Sequence, residues 1–179
     1  YPLKNLNLTN KTAIVLGSGG AARSVIQGLK DLELSKITII SRNKDSLNKL
    51  INDFNQDIII EGFLNTNKKI NNLIPKTDLI VNTTPVGMVK TTNEDLLPFG
   101  QSFWNTINPN SIVYDLIYNP SPTPFLKFCD QKGCMTIDGT QMLIAQGAKS
   151  LSFWTNGLEV PFEIMHDALK KYLYQINNP

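Results

Sequence analysis

The stretch AIVLGSGGAARSVIQGL, residues 13–29, places three glycines and two alanines between an apolar run and a leucine-bearing run. Thr12 to Leu16 is short and mostly apolar, which reads as a buried parallel strand. From Gly20 to Leu34 the apolar residues Val25, Ile26, Leu29 and Leu32 fall at helical spacing. The join, Gly17-Ser18-Gly19-Gly20-Ala21-Ala22, fits G-x-G-x-x-A at the mouth of that helix. Gly17 permits a tight turn and Gly19 lets backbone approach a pyrophosphate. Ala22 is small enough for close helix–strand packing, and the helix start offers free N–H groups and a positive dipole end. Strand, glycine turn and helix together predict a dinucleotide site at these six residues; a merely structural tight turn is the competing reading.

The next strand, KITII at 36–40, sharpens the nucleotide. An NAD site usually ends this strand with an acid that accepts hydrogen bonds from the ribose 2′-hydroxyl. Here Ser41, Arg42, Asn43 and Lys44 follow, and the first acid is Asp45. Arg42 can hold a 2′-phosphate by its charged fork and stack on adenine, Ser41 and Asn43 can donate hydrogen bonds, and Lys44 adds positive charge. Solvated loop charges are the alternative for Arg42 and Lys44. The pattern favours NADP over NAD.

Outward from this core, Ser46 to Phe54 reads as a helix with Asp45 as N-cap, and DIII (57–60) as a third strand. Asn67 to Leu73 reads as a short helix ending before Pro75, and DLIVNTTPVG (78–87) as a strand running into a loop. SIVYDLIY (111–118) reads as a strand, Thr123 to Lys132 as a helix started near Pro124, and CMTID (134–138) as a last short strand. Two helices, Thr140 to Trp154 and Phe162 to Tyr174, close the chain, and the loop from Lys90 to Asn110 has room for a short helix. Alternating strands and helices at this spacing predict an α/β fold: a Rossmann-like, doubly wound, mainly parallel sheet flanked by helices. The 179 residues suit one domain, 1–179, with residues 150–179 forming a C-terminal helical segment.

Composition excludes several classes. The 17 basic and 15 acidic residues leave a net charge of +2, which predicts neither nucleic-acid binding nor attachment to an anionic membrane. No apolar run approaches the ~20 residues a membrane helix needs, no signal peptide opens the chain, and a cytoplasmic location is expected. Cys129 and Cys134 are the only cysteines. They read as reduced thiols, with a redox pair or half of a metal site as the alternatives, and no metal site is expected. Sequons at Asn7, Asn10 and Asn82 read as chance, and the single histidine, His166, as structural. The first residue is Tyr1, which suggests a piece of a longer chain.

Five stretches, GSGGAARS, SRN, VNTTPVGM, YDLIYNPSPTPFL and DGTQMLIAQGAKS, spread in order from residue 17 to 150. On these motifs the chain resembles the C-terminal, NADP-binding half of shikimate dehydrogenase. The resemblance implies reduction of 3-dehydroshikimate to shikimate with NADPH, in the pathway to chorismate and the aromatic amino acids. It implies that Gly17 to Ala22 bind the pyrophosphate and that Ser41, Arg42 and Asn43 hold the 2′-phosphate. Family members usually carry Asn-Arg-Thr there, which leaves Arg42 as the main determinant. Some carry an arginine where this chain has Ser46, so Lys44 would have to substitute.

By the same resemblance Thr84 sits beside the cofactor, Leu116 and Gly139 contact the nicotinamide end through backbone, and Met142 packs on the nicotinamide. Spacing alone leaves Leu116 and Met142 equally readable as core. Tyr118 and Gln146 match the positions through which this half touches the ring acid. Gly139, Met142 and Gln146 at i, i+3 and i+7 share one helix face.

The family's catalytic lysine and aspartate belong to an N-terminal substrate domain with no counterpart here. Lys4 and Lys11 match no catalytic motif, and no catalytic residue is assigned. The expectation is a chain that binds NADP(H) but does not turn over substrate usefully, and whose C-terminal helices pack toward that domain. Exposed apolar residues there would favour self-association, a homodimer included. A quinate/shikimate dehydrogenase relative and a non-catalytic dinucleotide-sensing module are the remaining readings.

Overall fold

The computed structural model describes residues 2–54, 59–89, 96–159 and 161–177, with side chains of the last helix described through residue 173. Six strands alternate with helices: β1 (Thr12–Leu16), α1 (Gly20–Leu29), β2 (Lys36–Ser41), α2 (Lys44–Phe54), β3 (Ile60–Leu64) and α3 (Ile70–Leu73). Then come β4 (Leu79–Asn82), β5 (Ile112–Asp115), α4 (Pro124–Gln131), β6 (Met135–Ile137), α5 (Thr140–Trp154) and α6 (Phe162–Asn177). The strands form one sheet in the order β3-β2-β1-β4-β5-β6, and every pairing is parallel. This is the doubly wound, Rossmann-like arrangement expected from the sequence, and its strand order reverses between β1 and β4.

The strand pleat sends alternate residues to opposite faces, and the core divides accordingly. Ala13, Val15, Ile37, Ile39, Leu79 and Val81 pack with Ala22, Ile26 and Leu29 of α1 and Leu47 and Leu50 of α2. Ile14, Leu16, Ile40, Ile80 and Val113 pack on the other face with Ile70 of α3 and with Phe125, Leu126 and Cys129 of α4. Both faces of the central strands are covered, which is why these strands read as continuous apolar runs.

Several boundaries differ from expectation. α1 stops at Leu29, passes into a 3₁₀ turn at Lys30–Leu32 and ends at Glu33, whose φ of 51° is left-handed. The third strand starts where the apolar run DIII ends: β3 covers Ile60–Leu64, while residues 57 and 58 lie outside the described residues. This edge strand tolerates polar Glu61 because its carboxylate accepts hydrogen bonds from Lys36 Nζ (2.8 Å) and Thr38 Oγ1 (3.1 Å) on β2. The helix after residue 67 forms later, at Ile70–Leu73, and continues through Pro75 as a 3₁₀ turn, which the missing N–H of proline permits at a helix start. β4 and β5 stop at Asn82 and Asp115, three residues inside the expected run in the case of β5. α6 runs on to Asn177.

The loop between β4 and β5 holds a 3₁₀ turn at Gln101–Trp104. Trp104 is fully buried against Phe103 and Phe125, and its Nε1 donates to Pro98 O at 2.7 Å. A buried aromatic with its polar edge satisfied is a large packing contribution, so Trp104→Ala should lower the unfolding free energy by about 3–5 kcal/mol. Urea denaturation checks this; a loss below about 1 kcal/mol would show that the loop does not anchor the sheet.

Candidate dinucleotide site

Strands that diverge at a strand-order reversal leave a crevice at their C-terminal ends, and here that crevice lies beyond Leu16 and Asn82. The Thr83 N–H and hydroxyl both donate to Leu16 O, at 3.0 and 2.6 Å, and Gly17 N–H donates to Ile40 O at 2.8 Å. Gly17 has φ +103°, and a Cβ on it would lie 2.8 Å from Thr83 Oγ1 and 3.3 Å from Thr84 Cγ2. The fold itself therefore demands Gly17. Gly19 and Gly20 differ: a Cβ on either would meet no protein atom within 4 Å. Gly19 is the N-cap of α1, no side chain caps that helix, and its first turn carries no acid. An open approach to uncapped N–H groups and a positive dipole end fits an anionic pyrophosphate.

Three hydroxyls tie this turn to the next loop. Ser18 Oγ lies 2.7 Å from Ser41 Oγ and 2.6 Å from Ser46 Oγ. Ser41 is buried, and its oxygen accepts the Asn43 N–H at 3.2 Å. Asn43 Oδ1 accepts the Ser46 N–H at 2.9 Å, so Asn43, not Asp45, caps α2. Asp45 lies inside the first turn because α2 begins one residue earlier, at Lys44. Ser41 is thus turned inward. Arg42 and Lys44 are exposed, and neither forms an ion pair among the described residues.

Below the crevice lies a closed polar knot. Asn82 Oδ1 accepts both the Thr84 N–H (3.0 Å) and the Thr84 hydroxyl (2.7 Å), which fixes its Nδ2 as a donor to Asp115 Oδ1 at 3.0 Å. Asp115 Oδ1 also accepts the Ile117 N–H at 3.1 Å, and Oδ2 accepts the Thr123 hydroxyl at 2.8 Å. Thr123 in turn caps α4 by accepting Leu126 N–H at 3.2 Å. Asn82, Asp115 and Thr123 are all without solvent exposure. Burial pushes the Asp115 carboxyl up to about 7, against the pull of its three donors, and nearby Asp138 adds to the rise.

Three cavities adjoin along the strand ends. One of about 200 Å³ is bordered by Arg42, Asn65, Thr84 and the segment Leu96–Gly100. The next, about 490 Å³, is bordered by Ala21, Thr84, Pro85, Met88, Leu116 and Tyr118 among others. The third, about 460 Å³, runs between α1 and α5 and includes Ala21, Tyr114, Leu116, Met142 and Gln146. Thr84 is common to the first two, and Ala21 and Leu116 to the last two. Gly139 touches none of them directly; its N–H donates to Ile117 O at 3.0 Å, and a Cβ would fall 2.0 Å from Leu116 O. Tyr118 and Gln146 border different cavities, so the two residues expected to share a substrate are separated by Leu116.

Residues passed over in the sequence also border the site: Pro85 and Met88 after β4, Asn119 after β5, and Tyr172 and Leu173 on α6. Asn119 Oδ1 is buried without a hydrogen-bond partner. The first three lie inside quoted motifs, whereas nothing local marks the α6 pair. Lys4 and Asp31 both border the α1–α5 groove without bonding each other. Elsewhere, Cys129 and Cys134 are free buried thiols whose pKa burial raises, and His166 stacks on Phe162 within α6. No metal-holding cluster and no helix long and apolar enough to cross a membrane occurs among the described residues.

Comparison with known proteins gives two family matches: "Shikimate / quinate 5-dehydrogenase" over residues 3–97 and "Shikimate 5'-dehydrogenase C-terminal domain" over residues 139–170. A shikimate dehydrogenase (NADP(+)) from Prochlorococcus marinus strain MIT 9515 is 80% identical over 173 residues, covering 97% of this chain and 61% of its own length. The chain thus spans about three-fifths of the curated relatives it matches. A Listeria monocytogenes shikimate 5-dehydrogenase solved with shikimate and NAD has a TM-score of 0.79 at 25% identity, covering 90% of this chain and 56% of that one. A shikimate dehydrogenase solved with NADP+ has a TM-score of 0.71 at 28% identity, covering 92% of this chain and 55% of that one.

The buried knot generates a stability prediction. Asp115→Asn puts an amide nitrogen, which cannot accept, in place of one carboxyl oxygen, and should cost about 2 kcal/mol near pH 5. The folded chain holds the Asp115 proton to higher pH than the unfolded chain does, so wild-type stability from this group falls as pH rises from about 4 to about 7. The deficit of the variant should therefore shrink by about pH 8. Denaturant titrations of both proteins across this range check it, and a deficit that grows with pH would contradict it.

Proposed function

The chain belongs to the shikimate/quinate 5-dehydrogenase family, and we propose that it is the cofactor-binding part of an NADP-dependent shikimate dehydrogenase acting in the cytoplasm. The observation that carries this reading is the run of three cavities joined through Thr84, Ala21 and Leu116, which meets the first turn of α1 at Ala21. In this reading the N–H groups at the α1 start hold the pyrophosphate, and Arg42, aided by Lys44, reads the 2′-phosphate. The buried Ser41 and the capping oxygen of Asn43 set the loop that presents Arg42, and the Asn43 amide remains to donate. Thr84 lies between the adenosine and nicotinamide ends. The Leu116 and Gly139 backbones and Met142 flank the nicotinamide, and Tyr118 and Gln146 meet the ring acid from either side of Leu116.

Bound NADPH supplies a hydride to the ring ketone of 3-dehydroshikimate. The ketone oxygen gains negative charge as hydride arrives, so a proton donor must stand beside it. Of the titratable groups bordering the cavities, Tyr114 is buried with its pKa raised, which makes it a poor donor. We assign the donor, and most substrate contacts, to the part of the relatives' length that this chain does not span. Phe153, Trp154, Leu158 and Ile164, each at least 60% exposed, are a surface that such a substrate domain would cover, or a second copy in a homodimer.

Calorimetry tests the cofactor assignment. NADP+ should bind at least tenfold more tightly than NAD+, and Arg42→Ala should abolish most of that preference; equal affinities in the wild type would remove the role of Arg42. Gly19→Ala isolates the pyrophosphate role, because its backbone φ of −87° and open surroundings accept a methyl group. Its stability should change by less than about 0.5 kcal/mol, while NADP+ affinity falls at least tenfold. Unchanged affinity would mean the turn serves the fold alone. The 179-residue chain should show no substrate-dependent NADPH oxidation; measurable turnover would place a proton donor among its own residues.

A further inference from the structure

Asp115 has no solvent exposure, so no bound molecule can touch it, yet its two oxygens reach three segments, two of which border the central cavity. Through Asn82 it fixes Thr84; through the Ile117 N–H it fixes the turn carrying Leu116 and Tyr118; through Thr123 it fixes the start of α4. The hydrogen-bond directions are determined throughout. The Thr84 N–H can only donate, so Asn82 Oδ1 must accept, Nδ2 must donate, and Asp115 must accept. The Thr84 hydroxyl spends its proton on Asn82 and accepts the Val86 N–H at 3.4 Å.

We propose that Asp115 is a positioning residue for the nicotinamide end of the cofactor site, holding Thr84 and the Leu116–Ile117 peptide as the two walls of the central cavity, while the loop of Arg42 is held by other groups. This inference rests on the reading of the crevice as a dinucleotide site. The adenosine end is built by a separate hydroxyl cluster, Ser18, Ser41 and Ser46, with no bond to the Asp115 knot. The two hydrogen-bond networks are separate and their cavities meet only at Thr84, so ligands that reach one end or both report on different networks.

The groups facing Asp115 are Tyr114 on its own strand, Cys129 on α4 and Asp138 beyond β6. Tyr114 and Cys129 stay neutral up to strongly alkaline pH because burial raises both, and Asp138 adds only negative charge. A proton on Asp115 sits on Oδ2, toward the Thr123 hydroxyl, and leaves the Asn82 and Ile117 donors on Oδ1 in place.

The test compares NADP+ with adenosine 2′,5′-bisphosphate, which carries the 2′-phosphate but no nicotinamide. Asp115→Ala, which removes both accepting oxygens, should weaken NADP+ by about tenfold and leave the bisphosphate within about twofold. Equal loss of both ligands, or no loss of either, overturns the proposal. Thr123→Val removes the α4 arm only and should lower stability without changing either affinity; a selective loss of NADP+ there also overturns it. Should Asp115→Ala not fold, Asn82→Ala decides, because it cuts only the Thr84 arm. It should weaken NADP+ severalfold and leave the bisphosphate within about twofold; equal loss of both, or no loss of either, refutes the role. A wild type that binds neither ligand instead defeats the dinucleotide reading itself.

Discussion

A carboxyl group sealed from water, Asp115, ties together three separate segments of the chain. It joins the ends of β4 and β5 to the cap of α4 with three accepted hydrogen bonds. Buried carboxylates are unfavourable unless fully satisfied, so the segments that satisfy it have little freedom to move separately. Two of those segments, after β4 and after β5, border the central cavity. The strain of burial, visible as a carboxyl raised to about 7, is set against a crevice whose walls are held from beneath, leaving its surface free for a ligand.

The glycine turn shows how fold and site share one motif. Gly17 is required by the protein alone, since its positive φ and its approach to Thr83 exclude a side chain. Gly19 and Gly20 face open space, so packing gives no reason for their bareness, and an approaching anion does. Gly139 belongs with Gly17: the backbone of Leu116 occupies the place of its side chain. What Gly139 contributes is where it lets Leu116 lie.

The parallel sheet was legible because each central strand is buried on both faces and reads as an uninterrupted apolar run. The third strand was not, because an edge strand carrying Glu61 and Gly62 has no such run, and the apolar residues before it drew the boundary toward the N-terminus. The cap of α2 was misread at Asp45 because several polar residues sit together there, and only the Asn43 geometry distinguishes them. At the site, Arg42 and the glycines stood out by position within strand–turn–helix units. The α6 residues Tyr172 and Leu173 were invisible, since helix–helix packing alone brings them to the cavity. Asp115 was quoted within a motif but given no role, because nothing local shows that its partners lie at positions 82 and 123.

The central claim is that three adjoining cavities form a single path for one dinucleotide. Amide resonances followed by nuclear magnetic resonance during NADP+ titration test it most directly. The account predicts shifts at Gly19 to Ala22, Arg42 and Asn43, Thr84 and Val86, and Leu116 to Tyr118, all saturating with one common affinity, while α3 and the Trp104 turn stay still. Shifts confined to one cavity, or segments saturating with different affinities, would contradict it.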